Sequence, residues 1–242
     1  MWDRADLPTQ QTFWPRWPKG GGVRVKPGTK IGTYEVEEAI GWGGFATVYR
    51  VREMRDHSVH ALKVLLGRSR DSHSRLVTEG RVQSNLKHEN IVHVSEILDV
   101  DGVPGLVMEY FPAPSLGQWL SLYRPDIQET ESLFQGILAG VAHAHSQGVV
   151  HRDLKPGNVL LAASDVAITP KVADFGLAKL FGDESGGQGT RTGMTMGTPA
   201  YMPPEQLRDA KGTDQRADIW ALGCLLYELM MGRAPFSETL DL

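Results

Sequence analysis

The chain has 242 residues, 41% of them hydrophobic, which is enough apolar content for one domain with a sizeable core plus a tail. Its net charge of -4, with no basic run, excludes a general nucleic-acid binder. The single cysteine, Cys224, excludes an internal disulfide framework and fits a reducing compartment, so a cytoplasmic location is expected.

Residues 1–30 lack the apolar stretch of a signal peptide and set Trp2, Trp14 and Trp17 among prolines and the Gly20-Gly21-Gly22 run, a composition that predicts a flexible leader. From Ile40 to Tyr49 the pattern is strand, glycine-rich turn (Gly41, Gly43, Gly44), strand, and glycines there let backbone approach a ligand without a side chain in the way. His60-Ala61-Leu62-Lys63-Val64-Leu65-Leu66 is an apolar strand with one charge inside it, and alternation puts Ala61, Lys63 and Leu65 on one face. A strand lysine alone points as readily to water. A partner decides otherwise: from Arg75 to Leu86, Leu76, Glu79, Val82 and Leu86 recur at helical spacing and define an inward stripe that carries Glu79. A carboxylate on an apolar face and a lysine within a strand are each costly alone, and pairing Lys63 with Glu79 resolves both.

Leu106 to Phe111 predicts a buried strand with a polar end, and Pro112-Ala113-Pro114 breaks it. Ser115 is placed to cap a helix over Leu116 to Leu120. Leu133, Ile137, Leu138, Val141 and His145 mark a second amphipathic helix that leads into Val149-Val150-His151, and from about residue 112 onward the chain is expected to be mostly helical. A polar, glycine- and threonine-rich stretch from Lys179 to Met196 has loop composition. The last landmark, Asp218 to Met230, predicts a core helix packed all round. Its apolar run of about eleven residues contains Glu228 and falls well short of the ~20 that a membrane span needs.

Two runs carry the chemistry. His151-Arg152-Asp153-Leu154-Lys155-Pro156-Gly157-Asn158 is followed sixteen residues after Asn158 by Asp174-Phe175-Gly176. Together they resemble the catalytic and metal-binding loops of protein kinases. Ile40 to Tyr49 is similar to the family's glycine-rich loop, Lys63 and Glu79 to its strand-helix ion pair, and Leu106 to Phe111 to its hinge. The stretch from Lys179 to Glu205 resembles its activation segment. The resemblance covers residue 31 to the end and departs from the family at Ala46, Gln83 and Pro203, where a glycine, an apolar residue and an alanine are usual.

The resemblance implies an α+β, bilobal protein-kinase fold. A small antiparallel-sheet N-lobe with one main helix, plus the hinge, would span 31–111. A mostly helical C-lobe would span 112–242 and lack its last helices, about a fifth of a kinase domain. Apolar surface of the central helix would then be exposed, and Glu205 would lose its usual arginine partner.

Implied site roles follow residue by residue. Ile40, Gly41, Gly43, Gly44, Val48, Ala61, Met108, Glu109, Phe111 and Leu160 would enclose ATP, with Lys63, oriented by Glu79, on its phosphates. Asp153 would orient the attacking hydroxyl, with Lys155 on the gamma phosphate and Thr198 bracing both. Asn158 and Asp174 would hold Mg2+, and Asp218 would anchor the catalytic loop. Arg152 would pair with a phosphorylated Thr190, Thr192 or Thr195, the first two at spacings typical of bacterial-type kinases.

Lys155 and Thr198 imply the Ser/Thr class, with Ser/Thr hydroxyls of proteins as substrates and a second copy as partner in trans-autophosphorylation. A non-catalytic ATP-binding scaffold is the alternative function. A small-molecule phosphotransferase is disfavoured by Arg152, Lys155 and the Thr198 to Glu205 segment.

Overall fold

The computed structural model describes residues 25–42, 46–65, 80, 82–164, 167–175, 199–208 and 213–236. They divide into two compact units. The first holds the described residues up to Lys87 together with His93–Pro112; the second holds His88–Val92 and everything from Ala113.

The first unit is a six-stranded antiparallel sheet. Its strands are β1 (Lys30–Ile31), β2 (Tyr34–Trp42), β3 (Ala46–Glu53), β4 (Val59–Leu65), β5 (Val94–Val100) and β6 (Val103–Glu109), in the order β1-β2-β3-β4-β6-β5. Alternation explains its core: Tyr34 and Val36 of β2, Tyr49 and Val51 of β3, Leu62 and Val64 of β4 and Val107 of β6 face one way and pack with Val25, Ile31 and Val100. The opposite face carries Lys63, which lies in register with Val48 on β3 and Leu106 on β6. A helical turn at 82–84 sits on that face, because a Cβ on Gly80 would come within 2.9 Å of the Leu106 side chain and 2.8 Å of Ile97. The expected helix is therefore seen at its end, but rotated from the expected stripe: Val82 is 41% exposed, while Gln83 and Leu86 are buried. The close approach at Gly80 centres the buried face on a residue that a count of large apolar side chains skips.

In the second unit, α1 (Leu116–Leu120) starts at Ser115, whose hydroxyl accepts from the Gln118 N–H while the Gln118 side chain accepts from the Ser115 N–H. The longer α2 (Ile127–Ser146) begins with the same reciprocal cap between Asp126 and Glu129. It buries Leu133, Ile137, Val141 and Ala144. Leu138, expected on that stripe, is 43% exposed, because α2 also makes its closest approach through glycines: a Cβ on Gly136 or Gly140 would lie 2.6 Å from Pro170 or from the Asn90 carbonyl oxygen.

Strands β7 (Val159–Ala163) and β8 (Ile168–Val172) form a hairpin within the otherwise mostly helical stretch. Then come α3 (Pro204–Arg208) and α4 (Arg216–Met231), which ends at Gly232 in the left-handed conformation with φ 71°. The expectation that α4 is packed all round fails on one side. Ala217, Ala221, Leu222, Cys224, Leu225 and Leu229 are buried, whereas Ile219, Met230 and Met231 are exposed. Among the described residues, no helix is long and apolar enough to cross a membrane.

Candidate active site

In the first unit, strand register assembles the expected nucleotide-facing residues into rows. Gly41 pairs with Val48, Val48 with Lys63, and Ala61 with Met108, across β2, β3, β4 and β6. Ile40 lies at an irregularity between Ala39 and Gly41 and is half-buried. At the end of β6, the Glu109 N–H donates to the His93 carbonyl (3.0 Å) and the Glu109 carboxylate accepts from the His93 N–H (2.8 Å), which pins the start of the Glu109-Tyr110-Phe111 segment. Phe111 is half-buried. Gly43, Gly44 and Glu79 lie outside the described residues, as do Thr190, Thr192, Thr195 and Thr198.

In the second unit, the loop from His151 to Asn158 is fixed from several directions. Asp218, buried on α4, accepts the His151 N–H on Oδ2 and the Arg152 N–H on Oδ1, both at 2.8 Å. The imidazole of His145, from the last turn of α2, lies 2.7 Å from Oδ2. Burial alone would push the Asp218 carboxyl up; the His145 contact and the two N–H donors outweigh it and hold it below the usual carboxylate range. His151 is buried, its Nε2 donating to the Ala173 carbonyl (2.8 Å) and its Nδ1 accepting the Asp153 N–H (3.2 Å). Its ring packs on Phe175 with centroids 4.8 Å apart.

Three polar residues then converge. Lys155 Nζ donates to Asp153 Oδ2 at 2.7 Å. Asn158 Nδ2 donates to the Asp153 carbonyl at 2.7 Å and to Oδ2 at 3.1 Å. Asp153 Oδ1 takes no hydrogen bond among the described residues, and the side chain is 34% exposed. The β7–β8 register brings in the fourth: Val159 pairs with Val172, and the Ala173 N–H donates to the Asn158 carbonyl (2.8 Å). Asp174 follows immediately, with φ 66°. Leu160, on β7, pairs with Lys171 and bridges to Ser115.

Oxygen donors of this type suit a hard cation such as magnesium, which is held by one or two carboxylates together with phosphate oxygens. Both Asn158 Nδ2 contacts are to Asp153, which leaves the amide oxygen for such an ion. The described residues contain no group of three or more His, Cys, Asp or Glu that could hold a metal ion without phosphates.

Arg152 has φ 67°, and its buried Nε has no hydrogen-bond partner among the described residues. Its carbonyl accepts from Gln206 Nε2 on α3 at 2.8 Å. The reach of Gln206 is a contact that the motifs did not disclose, since nothing in a glutamine beside a proline pair signals which carbonyl it meets. Likewise the sequence marks His145 only as part of a helical stripe; its position six residues before His151, at the end of α2, is the available signal.

A family model described as the protein kinase domain matches residues 34–241. The chain is 36% identical over 213 residues to the probable serine/threonine-protein kinase SCO3848 of Streptomyces coelicolor, covering 85% of this chain and 31% of that protein. It is 37% identical over 212 residues to the serine/threonine-protein kinase pkn3 of Myxococcus xanthus, covering 85% of this chain and 39% of the relative. It thus spans between about a third and two fifths of the length of these relatives. Among solved structures, Rad53 1-466 in complex with AMP-PNP aligns with a TM-score of 0.70 and 28% identity, over 86% of this chain and 51% of that one.

Proposed function

The chain belongs to the protein kinase family, and we propose that it transfers the gamma phosphate of ATP to Ser/Thr hydroxyls of proteins. The observation that carries this reading is the convergence of Lys155 and Asn158 on one oxygen of Asp153, leaving the other oxygen for a substrate hydroxyl. That carboxylate oxygen orients the substrate hydroxyl and receives its proton as the hydroxyl oxygen bonds to the gamma phosphorus and the bond to the ADP oxygen breaks. Lys155, 2.7 Å from the carboxylate, is placed to share its charge with the transferred phosphoryl group. Lys63, on the sheet face where the helical turn packs, and the backbone around Gly41 serve the ATP phosphates; Met108, Glu109 and Phe111 serve the base. Asn158 and Asp174 would hold magnesium, which neutralises phosphate charge when bound. Positioning and electrostatics carry the rate, since the protein supplies no covalent intermediate.

Arg152 is the regulatory arm of the proposal. A half-buried arginine next to Asp153, whose Nε is buried and has no hydrogen-bond partner among the described residues, suits a phosphothreonine from the segment that contains Thr190, Thr192 and Thr195.

The test is incubation of residues 1–242 with Mg-ATP and a generic basic protein, with phosphosites read by mass spectrometry. Phosphate on serine or threonine is expected, and Asp153→Asn should lower the initial rate by about 10²-fold or more. Folded wild-type protein that incorporates no phosphate would sink the proposal.

A further inference from the structure

The proposed mechanism depends on where Asp153 points, and the peptide unit that joins Arg152 to Asp153 sets that direction. Arg152 is a non-glycine residue at φ 67°, in the left-handed region, which persists only where surrounding bonds over-determine it. Its N–H is held by Asp218. The next peptide unit is gripped at both ends: its N–H, that of Asp153, donates to His151 Nδ1 at 3.2 Å, and its carbonyl, that of Arg152, accepts from Gln206 Nε2 at 2.8 Å. The first of these is at the long end of the range and the second near its centre, so Gln206 supplies the firmer hold.

Gln206 is itself rigidly carried. Pro203 and Pro204 fix the backbone at the start of α3, and the Gln206 N–H donates to the Pro203 carbonyl at 3.0 Å. Without the Gln206 bond, the Arg152–Asp153 peptide could rotate about its flanking bonds, carrying the Asp153 carboxylate with it.

We infer that Gln206 is a positioning residue for Asp153, tying the aim of the carboxylate to the seating of α3. The inference rests on the proposed role of Asp153. Gln206 is only half-buried and has no part in the core, so its effect should be separable from folding.

The experiment compares wild type, Gln206→Met, which keeps length but loses the donor, and Gln206→Lys, which restores a donor of similar reach. Four quantities are read: kcat, KM for ATP, thermal midpoint, and amide hydrogen exchange of residues 151–155 without nucleotide. For Gln206→Met we expect kcat to fall on the order of tenfold with KM and thermal midpoint unchanged, and exchange at Asp153 to accelerate. Gln206→Lys should recover kcat to within about threefold, as a hydrogen bond of ordinary strength allows.

A Gln206→Met protein with wild-type kcat would overturn the inference, as would a loss that only follows the folded fraction or that lysine does not restore. If wild type itself proves inactive, the kinase reading fails. Exchange then decides the coupling alone: acceleration upholds it, and equal rates overturn it.

Discussion

Tyr201 and Glu228 are a half-buried pair whose energetics run opposite to those of Asp218. The Tyr201 hydroxyl donates to the Glu228 carboxylate, joining the turn at Pro199–Tyr201 to α4. Burial pushes the Glu228 carboxyl above its ordinary value, and the bond from Tyr201 and the charge of Arg124 only partly offset it. Burial and the facing carboxylate also push the Tyr201 phenol up, so it stays neutral through the physiological range. Asp218 has two backbone donors and an imidazole, whereas Glu228 has one neutral hydroxyl and the charge of Arg124, which is why burial loses at Asp218 and wins at Glu228.

The sign for Glu228 follows from linkage. A carboxyl whose folded value lies above its unfolded one favours folding below the ordinary glutamate range, and that contribution is lost as pH rises through the folded value. Glu228→Gln keeps an acceptor for Tyr201 and does not titrate. Relative to wild type, its thermal midpoint should therefore gain as the pH rises from about 4 to 7. Melting curves across that range decide it, and parallel pH profiles for the two proteins would show that Glu228 titrates normally.

At the scale of elements, the His151–Asn158 loop is legible because its polar groups are contiguous: eight residues name the carboxylate, the lysine and the amide without any knowledge of the fold. The helix faces were less so. Gly80, Gly136 and Gly140 mark the contacts, and a stripe drawn through large side chains rotates away from them, which misplaced Val82 and Leu138. The β7–β8 hairpin was missed because Ala162, Ala163 and Pro170 are weak strand formers, and only its register shows how Asn158 and Asp174 are brought together.

Glycine packing gives a paired prediction. In α2, a Cβ at Gly140 would lie 2.6 Å from a backbone oxygen of Asn90, so Gly140→Ala forces the helix off that turn and should destabilise by about 1–3 kcal/mol. In α4, Gly223 is exposed with nothing within 4 Å of a Cβ, so Gly223→Ala should stabilise by up to ~1 kcal/mol through helix propensity. Urea unfolding of both variants checks it; stabilisation by both would mean that propensity, and not the close approach, governs position 140.

For the molecule as a whole, α4 is the element on which the second unit is organised. Its first turn presents Asp218 to the His151–Asn158 loop, its fourth holds Tyr201 through Glu228, and its buried side carries Leu222, Leu225 and Leu229 into the core. Its composition is apolar on every side, yet Ile219 and Met230, eleven positions apart and therefore on one line of the helix, are 56% and 60% exposed. Trp220 beside them stacks on Phe236 with ring centroids 5.5 Å apart.

A helix that contributes both an anchor for the His151–Asn158 loop and an exposed apolar stripe separates two costs that usually coincide, since polar substitution on the stripe should leave the anchor in place. Ile219→Gln with Met230→Gln should change unfolding free energy by no more than roughly 0.5 kcal/mol, as expected of surface positions, and should reduce binding of an apolar dye. A loss above about 2 kcal/mol would mean instead that this face is covered in solution, because deleting buried side chains of that size costs on that scale. Chemical denaturation of the double variant, repeated at several protein concentrations, separates the two: a loss that grows with concentration places the cover on a second copy, and a constant loss places it within the same chain.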